Sequence, residues 1–434
     1  MVGLRAAIGV GLVALAGLLG WQYLLPAGFD SPFGLNHPGA EQFVRGFGIP
    51  HVSVALGAYR ATFRILLAVI WGAYLATVVV AARGARLPSA RATRWLVAVT
   101  GFAIAVLWPP TFSCDLYGYI GYGRTAAVYG LNPYRVGPRL LVERGDPVAP
   151  FLQWGITSPY GPLWTSLSVA LAWLFGGASM LLQALAYKLI AAAALVATAI
   201  VGGRVAERLA PGRGVVASLA IGLNPLFLIE GAGNGHNDLV MMALFVVALD
   251  AALRGRTRVA ALSAGLAAAI KFLPLLLIPW ILILGWRHRA GGWFQRLRCG
   301  AADAAVALAP LAIFYLPYWM GRGTFRGVSE RLTNGQTTSA WWSSSGGLAV
   351  AASVLVYVPA SLWIARDASR TLAAWLVVAT VVFIVSSGMW LPWYLSWIWI
   401  PALLRWNRWF AAASALAFCA AVFLTFWYSV PKPI

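Results

Sequence analysis

Between Cys114 and Tyr134 the chain reads CDLYGYIGYGRTAAVYGLNPY, placing one acid, five tyrosines and one arginine directly after an apolar run. A carboxylate among phenolic hydroxyls at a membrane surface makes a costly lipid-facing wall. It is well suited to taking a proton from an attacking hydroxyl. On a helix starting at Asp115, Tyr119 and Tyr122 fall at i+4 and i+7, on the face of the acid, and form a polar stripe able to hold a sugar. Arg124, at i+9, points away from that face on a straight helix, although Gly118, Gly121 and Gly123 argue against straightness. An interfacial helix whose tyrosines mark the headgroup level, with Asp115 capping its start, would have the same composition.

A second polar group, Asn234-Gly235-His236-Asn237-Asp238, sits between two apolar stretches, where four polar side chains in five residues are expensive unless solvated or functional. Asp238 also occupies a natural helix-capping position, and Glu230 adds a carboxylate nearby. Of the lysines, Lys188 and Lys271 lie within apolar segments. Lys188 is about 10 residues into its helix, hence ~15 Å deep at 1.5 Å per residue, where it is either functional or snorkelling to an interface. Lys271 could receive a lipid phosphate or pair with a carboxylate. Trp390, Trp393 and Tyr394 in MWLPWYLSW, and Trp341-Trp342, read first as interface anchors, though a groove lined by them could seat a prenyl chain.

The elements that must position these groups follow from composition. The chain has 434 residues, 61% hydrophobic and 10% charged, with 22 Trp. A soluble globule is roughly half apolar and about a quarter charged, so this is an all-α polytopic membrane protein. The net charge of +20 sits in short loops between apolar segments, as orientation signals do, and nucleic acid is excluded as a partner. Cys114, Cys299 and Cys419 fall in different segments and suggest neither a disulfide framework nor a metal centre.

Apolar stretches run from Leu4–Leu25, a retained anchor, through Ala61–Ala82, Trp95–Pro109, Ser179–Val201, Val215–Leu228 and Leu239–Leu253 to Phe410–Tyr428. Arginines at 83–94, 204–213, 254–258, 287–298, 366–370 and 405–408 mark cytoplasmic loops. The crossings between them must then be odd or even in number. Pro162–Phe175 becomes a half-span dipping in from outside, and Val259–Trp286 a two-helix hairpin with its tip at Lys271–Pro274. About thirteen crossings result, with the amino terminus cytoplasmic and outer loops at 26–60, 110–161 and 321–345. Residues 1–434 read as one transmembrane catalytic domain, because no hydrophilic stretch is long enough to fold alone.

At this point the residues resemble a family. Asp115, Tyr117, Tyr119 and Gly123-Arg124, followed by Tyr129-Gly130-Leu131-Asn132-Pro133-Tyr134, look like the first-loop signature of GT-C fold glycosyltransferases that use polyprenyl-phosphate sugars. The nearest likeness is to actinobacterial polyprenol-phosphate-mannose-dependent α-1,6-mannosyltransferases. Ser158-Pro159-Tyr160-Gly161-Pro162, Leu223-Asn224-Pro225-Leu226, Gly235-His236-Asn237-Asp238 and Lys271 with Pro274 support it. The resemblance covers Asp115 to roughly Pro279.

That resemblance implies a GT-C-like bundle with extracytoplasmic juxtamembrane helices, in the plasma membrane, moving mannose with inversion from a polyprenyl-phosphate donor to a glycan or glycolipid. It implies Asp115 as general base. Asp30, which lacks the tyrosine and NPY context, ranks far below it. Tyr119, Tyr122, Asn132, Tyr134, Tyr160, His236, Asn237, Asp238, Trp393 and Tyr394 are expected to line the substrate site, with Lys188, Lys271 and Arg124 the candidates for the donor phosphate. No cofactor is predicted; a divalent metal would have to use Asp115 with His236 or Asp238, and no dense acidic cluster supports one. A polyprenyl-diphosphate-linked glycan polymerase or ligase would share the outer acid and aromatic groove. A transporter would also carry intramembrane lysines but should show matched halves, and no such symmetry is visible.

Overall fold

A computed structural model describes residues 2–23, 55–109, 113, 115–152, 155–333, 355–361, 363, 370–386 and 391–428. Asp30, Cys114, Trp341, Trp342 and Trp390 lie outside the described residues. Regular structure among the described residues is helical, apart from one isolated bridge between Met320 and Arg322. In chain order the helices are α1 (Val2–Gln22), α2 (Leu56–Ala82), α3 (Ala90–Leu107), α4 (Asp115–Ala127), α5 (Arg139–Glu143), α6 (Pro162–Phe175), α7 (Met180–Leu209) and α8 (Gly214–Gly222). A π-helical turn over Phe227–Gly233 follows, then α9 (Asp238–Leu253), α10 (Thr257–Ile270), α11 (Ile278–His288), α12 (Trp293–Tyr315), α13 (Arg326–Thr333), α14 (Arg370–Ser386), α15 (Ser396–Leu403) and α16 (Arg408–Tyr428).

Six of these, α1, α2, α3, α7, α12 and α16, are long and apolar enough to cross a membrane, and the pair α8 with the π-helical turn makes a seventh, bent by 62° at its break. The sequence reading of thirteen also counted shorter segments, several of which form apolar helices of 10–17 residues. Val215–Leu228, expected as one span, is interrupted because Asn224 precedes Pro225: proline disfavours helical geometry in the residue before it and supplies no N–H. The break is built in, with the Asn224 side chain accepting the Leu226 N–H at 3.0 Å and donating to the Tyr74 hydroxyl at 3.1 Å.

The expected hairpin forms. α10 ends at Lys271, and Arg258 near its start and Arg289 just past α11 both reach the same buried carboxylate, Asp303 on α12. The chain therefore goes out along α10 and returns along α11. α6 is likewise separate from α7 and only 14 residues long, about 21 Å at 1.5 Å per residue, well short of a ~30 Å hydrocarbon core.

Two chemically distinct ends result. At one end, Arg208 and Arg254 pair with Asp250 near the end of α9, and Arg213 donates to the Ala82 carbonyl at the end of α2. At the other lie the starts of α4 and α9 and the end of α10. α9 and α10 have 16 and 14 residues, so this second end stands about 21–24 Å from the arginine-rich one. Against a ~30 Å core it forms a recess rather than a flat surface.

On the positive-inside rule the arginine-rich end is expected in the cytoplasm. In a variant lacking Cys114, Cys299 and Cys419, an impermeant maleimide should label Arg144→Cys on intact cells and Arg256→Cys only after permeabilisation, both positions being exposed. The reverse pattern would invert the topology.

Candidate functional site

Every residue from Asp115 to Thr125 is buried in α4, which sets aside the interfacial amphipathic helix. A helix buried on all sides cannot float at a headgroup layer. Gly123 permits the burial: a Cβ there would lie 2.2 Å from the Ser168 carbonyl oxygen, so α4 meets α6 backbone to backbone. The Ser113 hydroxyl accepts the Asp115 N–H at 3.1 Å and fixes the helix start.

The turn 234–238 comes to the acid from the other side. Gly235 adopts φ +71°, a left-handed conformation that favours glycine, and a Cβ on it would crowd the Lys188 Cγ at 3.3 Å. Beyond it, His236 is wholly buried, with Nε2 3.8 Å from the Asp115 carboxylate and 3.0 Å from the Ser113 hydroxyl. Its Nδ1 faces the Glu230 carbonyl at 2.5 Å, and its ring stacks on Trp393 at 3.9 Å between centroids. Burial pushes the imidazole below its ordinary value, although the Asp115 carboxylate and the Glu230 carbonyl favour its charged form.

Two residues on, Asp238 accepts the Lys271 ammonium at 2.8 Å and the Trp397 indole N–H at 2.6 Å, both on Oδ1. This is a correction to the capping reading: Asp238 is the first residue of α9, and its carboxylate faces Lys271 rather than the helix's own N–H groups. The ammonium also lies over the rings of Tyr394 and Trp397, at 4.3 and 4.9 Å from their centroids. Tyr394 and Trp397 are stacked at 4.3 Å, so these aromatics form a platform under a charge and not merely a belt.

Several polar atoms in the recess are buried without a partner among the described residues: both side-chain polar atoms of Asn237, Asp238 Oδ2 and the Trp393 indole N–H. Orphaned groups are scarce in interiors because each costs about 1–3 kcal/mol. Others lie elsewhere in the described residues, but those beside Asp115 and Lys271 could be met by a hydroxyl-rich ligand. Among the described residues no group of three or more metal-capable side chains converges.

The remaining sequence candidates hold the recess together. Arg124 forms a forked pair with the buried Asp146, with Nε and Nη2 at 2.8 Å from its two oxygens, and donates to the Gly176 carbonyl at 2.6 Å. Its guanidinium is thus committed to loop closure. Asn132 donates to the Tyr318 carbonyl and accepts the Tyr134 N–H, while the Tyr134 hydroxyl reaches the Tyr160 carbonyl and the Thr165 hydroxyl, each at 2.9 Å. Tyr122 donates to the Ile156 carbonyl, and the Tyr160 ring packs edge-on against Tyr119. Lys188, wholly buried, donates to the carbonyl of Trp108, the residue that ends α3. The Lys188 Nζ thus supplies a donor to a carbonyl that the end of the helix leaves without an intrahelical partner.

Sequence reasoning missed Asp146, Ser113 and Trp397. Asp146 looked like one more polar loop residue, and only its contact with Arg124 gives it meaning. Trp397 stood in plain view in the MWLPWYLSW run, three residues beyond Tyr394.

Residues 15–287 match the family described as alpha-(1->6)-mannopyranosyltransferase, N-terminal domain. Among individual relatives, alpha-(1->6)-mannopyranosyltransferase A of Mycobacterium tuberculosis is 25% identical over 351 residues, covering 72% of this chain and 66% of the relative. Alpha-(1->6)-mannopyranosyltransferase B of Corynebacterium glutamicum is 25% identical over 383 residues, covering 73% and 59%. The chain thus spans just under two thirds of the length of these relatives.

The Arg124–Asp146 pair generates a stability prediction. Asp146→Asn leaves a buried guanidinium without its counter-charge and should cost about 3–5 kcal/mol, read as a loss of thermal stability in detergent. Burial pushes the Asp146 carboxyl up, but the Arg124 fork, the Val148 N–H and the Tyr129 hydroxyl outweigh it and hold the group below the usual carboxylate range. A depressed carboxylate stabilises above its unfolded value of about 4 and loses that contribution as pH falls through the folded one. The gap between wild type and Asp146→Asn should therefore be flat above about pH 5 and narrow on acidification below about pH 4. A gap independent of pH would show that the pair does not carry the effect.

Proposed function

The chain belongs to the alpha-(1->6)-mannopyranosyltransferase family, and on that premise we propose that it moves a mannosyl residue from a polyprenyl-phosphate carrier to a hydroxyl of a glycan or glycolipid. Transfer takes place at the extracytoplasmic face of the plasma membrane, with inversion at the anomeric carbon. The observation that carries this reading is the turn 234–238, which ties a candidate base to a candidate phosphate ligand: His236 touches Asp115, and Asp238 holds Lys271.

In this reaction Asp115 takes the acceptor's proton as its oxygen attacks C1, and the phosphate departs from the opposite face of the ring. The negative charge on the leaving group meets a preorganised cation. Lys271 serves because its side chain is 18% exposed, its ammonium rests on an aromatic platform, and Asp238 can release it to a stronger anion. Asn237 and Trp393 supply orphaned donors and acceptors for sugar hydroxyls, with the Tyr119 hydroxyl beside them. The depth of the recess favours a lipid-borne donor, whose prenyl tail stays among acyl chains while its phosphate reaches the site from the side.

Purified protein incubated with labelled polyprenyl-phosphate mannose and a mannoside acceptor should release polyprenyl monophosphate, and should do nothing with a nucleotide-linked mannose. Asp115→Asn should lose about 10²–10⁴-fold in turnover while still binding donor; activity within a few-fold of wild type would move the base elsewhere.

Lys271→Gln should raise the barrier by about 2–4 kcal/mol. Lys188→Gln should lower expression and melting temperature but spare turnover in the folded fraction. If instead Lys188→Gln abolishes turnover in folded protein and Lys271→Gln does not, the phosphate sits against α3 and α7.

A further inference from the structure

The environment of His236 fixes which of its nitrogens carries the proton. Nδ1 faces the Glu230 carbonyl oxygen at 2.5 Å. A carbonyl only accepts, so Nδ1 must bear the hydrogen. In the neutral ring Nε2 is then a bare lone pair, which accepts the Ser113 hydroxyl hydrogen at 3.0 Å while the Ser113 oxygen accepts the Asp115 N–H. The same lone pair stands 3.8 Å from Asp115 Oδ2. The Trp393 ring, inclined by only 20° to the imidazole, holds the plane in which Nε2 points.

We infer that His236 is a positioning residue that acts through Asp115: it receives the proton that Asp115 takes from the acceptor hydroxyl. The inference rests on the transfer reaction proposed above. As the acceptor oxygen bonds to C1 and the C1–O bond to phosphate breaks, the bonding pair leaves with the phosphate and the acceptor's proton moves to Asp115 Oδ2. Asp115 must be a carboxylate again before it can take the next acceptor's proton, so a proton left there would block the next cycle. Once the Ser113 hydroxyl hydrogen turns away from Nε2 and the 3.8 Å gap closes, passing the proton to Nε2 restores the carboxylate and makes an imidazolium. That imidazolium keeps its Nδ1–H bond to Glu230 and gains the carboxylate of Asp115 and the face of Trp393. As products leave, the ring returns the proton through Asp115 to the departing phosphate monoester, the ring itself being wholly buried.

The groups around the ring suit a transient charge. The Asp115 carboxylate faces it from α4, the Glu230 backbone carbonyl from the π-helical turn and the Asp238 carboxylate from α9. Lys271 opposes from the end of α10, but is held by Asp238. Tyr119 lies within electrostatic reach of both Asp115 and Asp238, and Lys188 of α7 backs the turn at Gly235. Glu230 itself is fixed by the Asn234 amide at 2.8 Å.

His236→Gln tests the relay, since a carboxamide can accept from Ser113 but cannot take a proton. Turnover should fall about 10–100-fold with KM little changed. Wild type should lose turnover on acidification as Nε2 becomes protonated, and that limb should shift to lower pH in the variant. The proton inventory in mixed H2O and D2O should change from curved to linear. Wild-type turnover with an unchanged acid limb would overturn the relay, as would a loss that follows melting temperature alone.

An arm independent of activity uses ¹⁵N-histidine protein with His37, His51 and His288 replaced by Gln. The resting ring should be the Nδ1–H tautomer, and Asp115→Asn should lower the pH at which it titrates, because a carboxylate that favours the imidazolium is removed. The opposite tautomer, or a titration that Asp115→Asn leaves in place, would overturn the relay whatever the donor. Failure of wild type to use polyprenyl-phosphate mannose would count against the proposed function, and this arm would still decide the relay.

Discussion

The cost of charge at membrane depth governs this structure. An isolated carboxylate or ammonium removed from water is penalised by several kcal/mol even after relaxation, so each ionised group in the recess is matched by geometry. Asp238 has Lys271 and Arg124 has Asp146, Lys188 donates to the carbonyl end of α3, and Asp115 is fixed by Ser113 at its N–H and flanked by His236. Five residues, 234–238, serve two of these matches at once. Moving that turn would disturb the acid and the cation together, which is why glycine in a left-handed conformation, a π-helical turn before it and a packed helix start after it all converge there.

The polar network divides into two parts. Arg124–Asp146, Asn132–Tyr318 and Tyr134 with Tyr160 and Thr165 are satisfied by one another: they tie the loop after α4 to α6, to the 3-10 turn Leu316–Tyr318 and to the carbonyl at Gly176. Around Asn237, Asp238 Oδ2 and Trp393 the atoms are equally buried but unmatched among the described residues. A saturated network rigidifies, and an unsaturated one is expensive until something polar fills it. The first part is the frame and the second is where chemistry belongs.

Much of this was legible in the chain. Asp115 stood out because a carboxylate follows an apolar run, and the break between α6 and α7 and the hairpin at Lys271 followed from arginine parity with no knowledge of contacts. Pro162 and Gly176 punctuated α6 where the structure begins and ends it. Hidden from view were pairings across distance. Arg124 looked free for a phosphate because Asp146, 22 residues on, gave no periodic signal. Trp393 and Tyr394 read as a belt because burial against His236 and under Lys271 arises only when α15 packs beside α9. Local patterns report spans, caps and breaks; side-chain partners chosen by tertiary folding do not leave such a trace.

The most direct test of the account is a cryo-electron microscopy structure of the Asp115→Asn protein holding polyprenyl-phosphate mannose. The account predicts the phosphate within about 4 Å of the Lys271 ammonium, the Asp238–Lys271 pair loosened, and C1 of the sugar turned toward position 115 with its hydroxyls on Asn237 and Tyr119. A phosphate seated at the arginine-rich end, or a sugar remote from both position 115 and the turn 234–238, would contradict it.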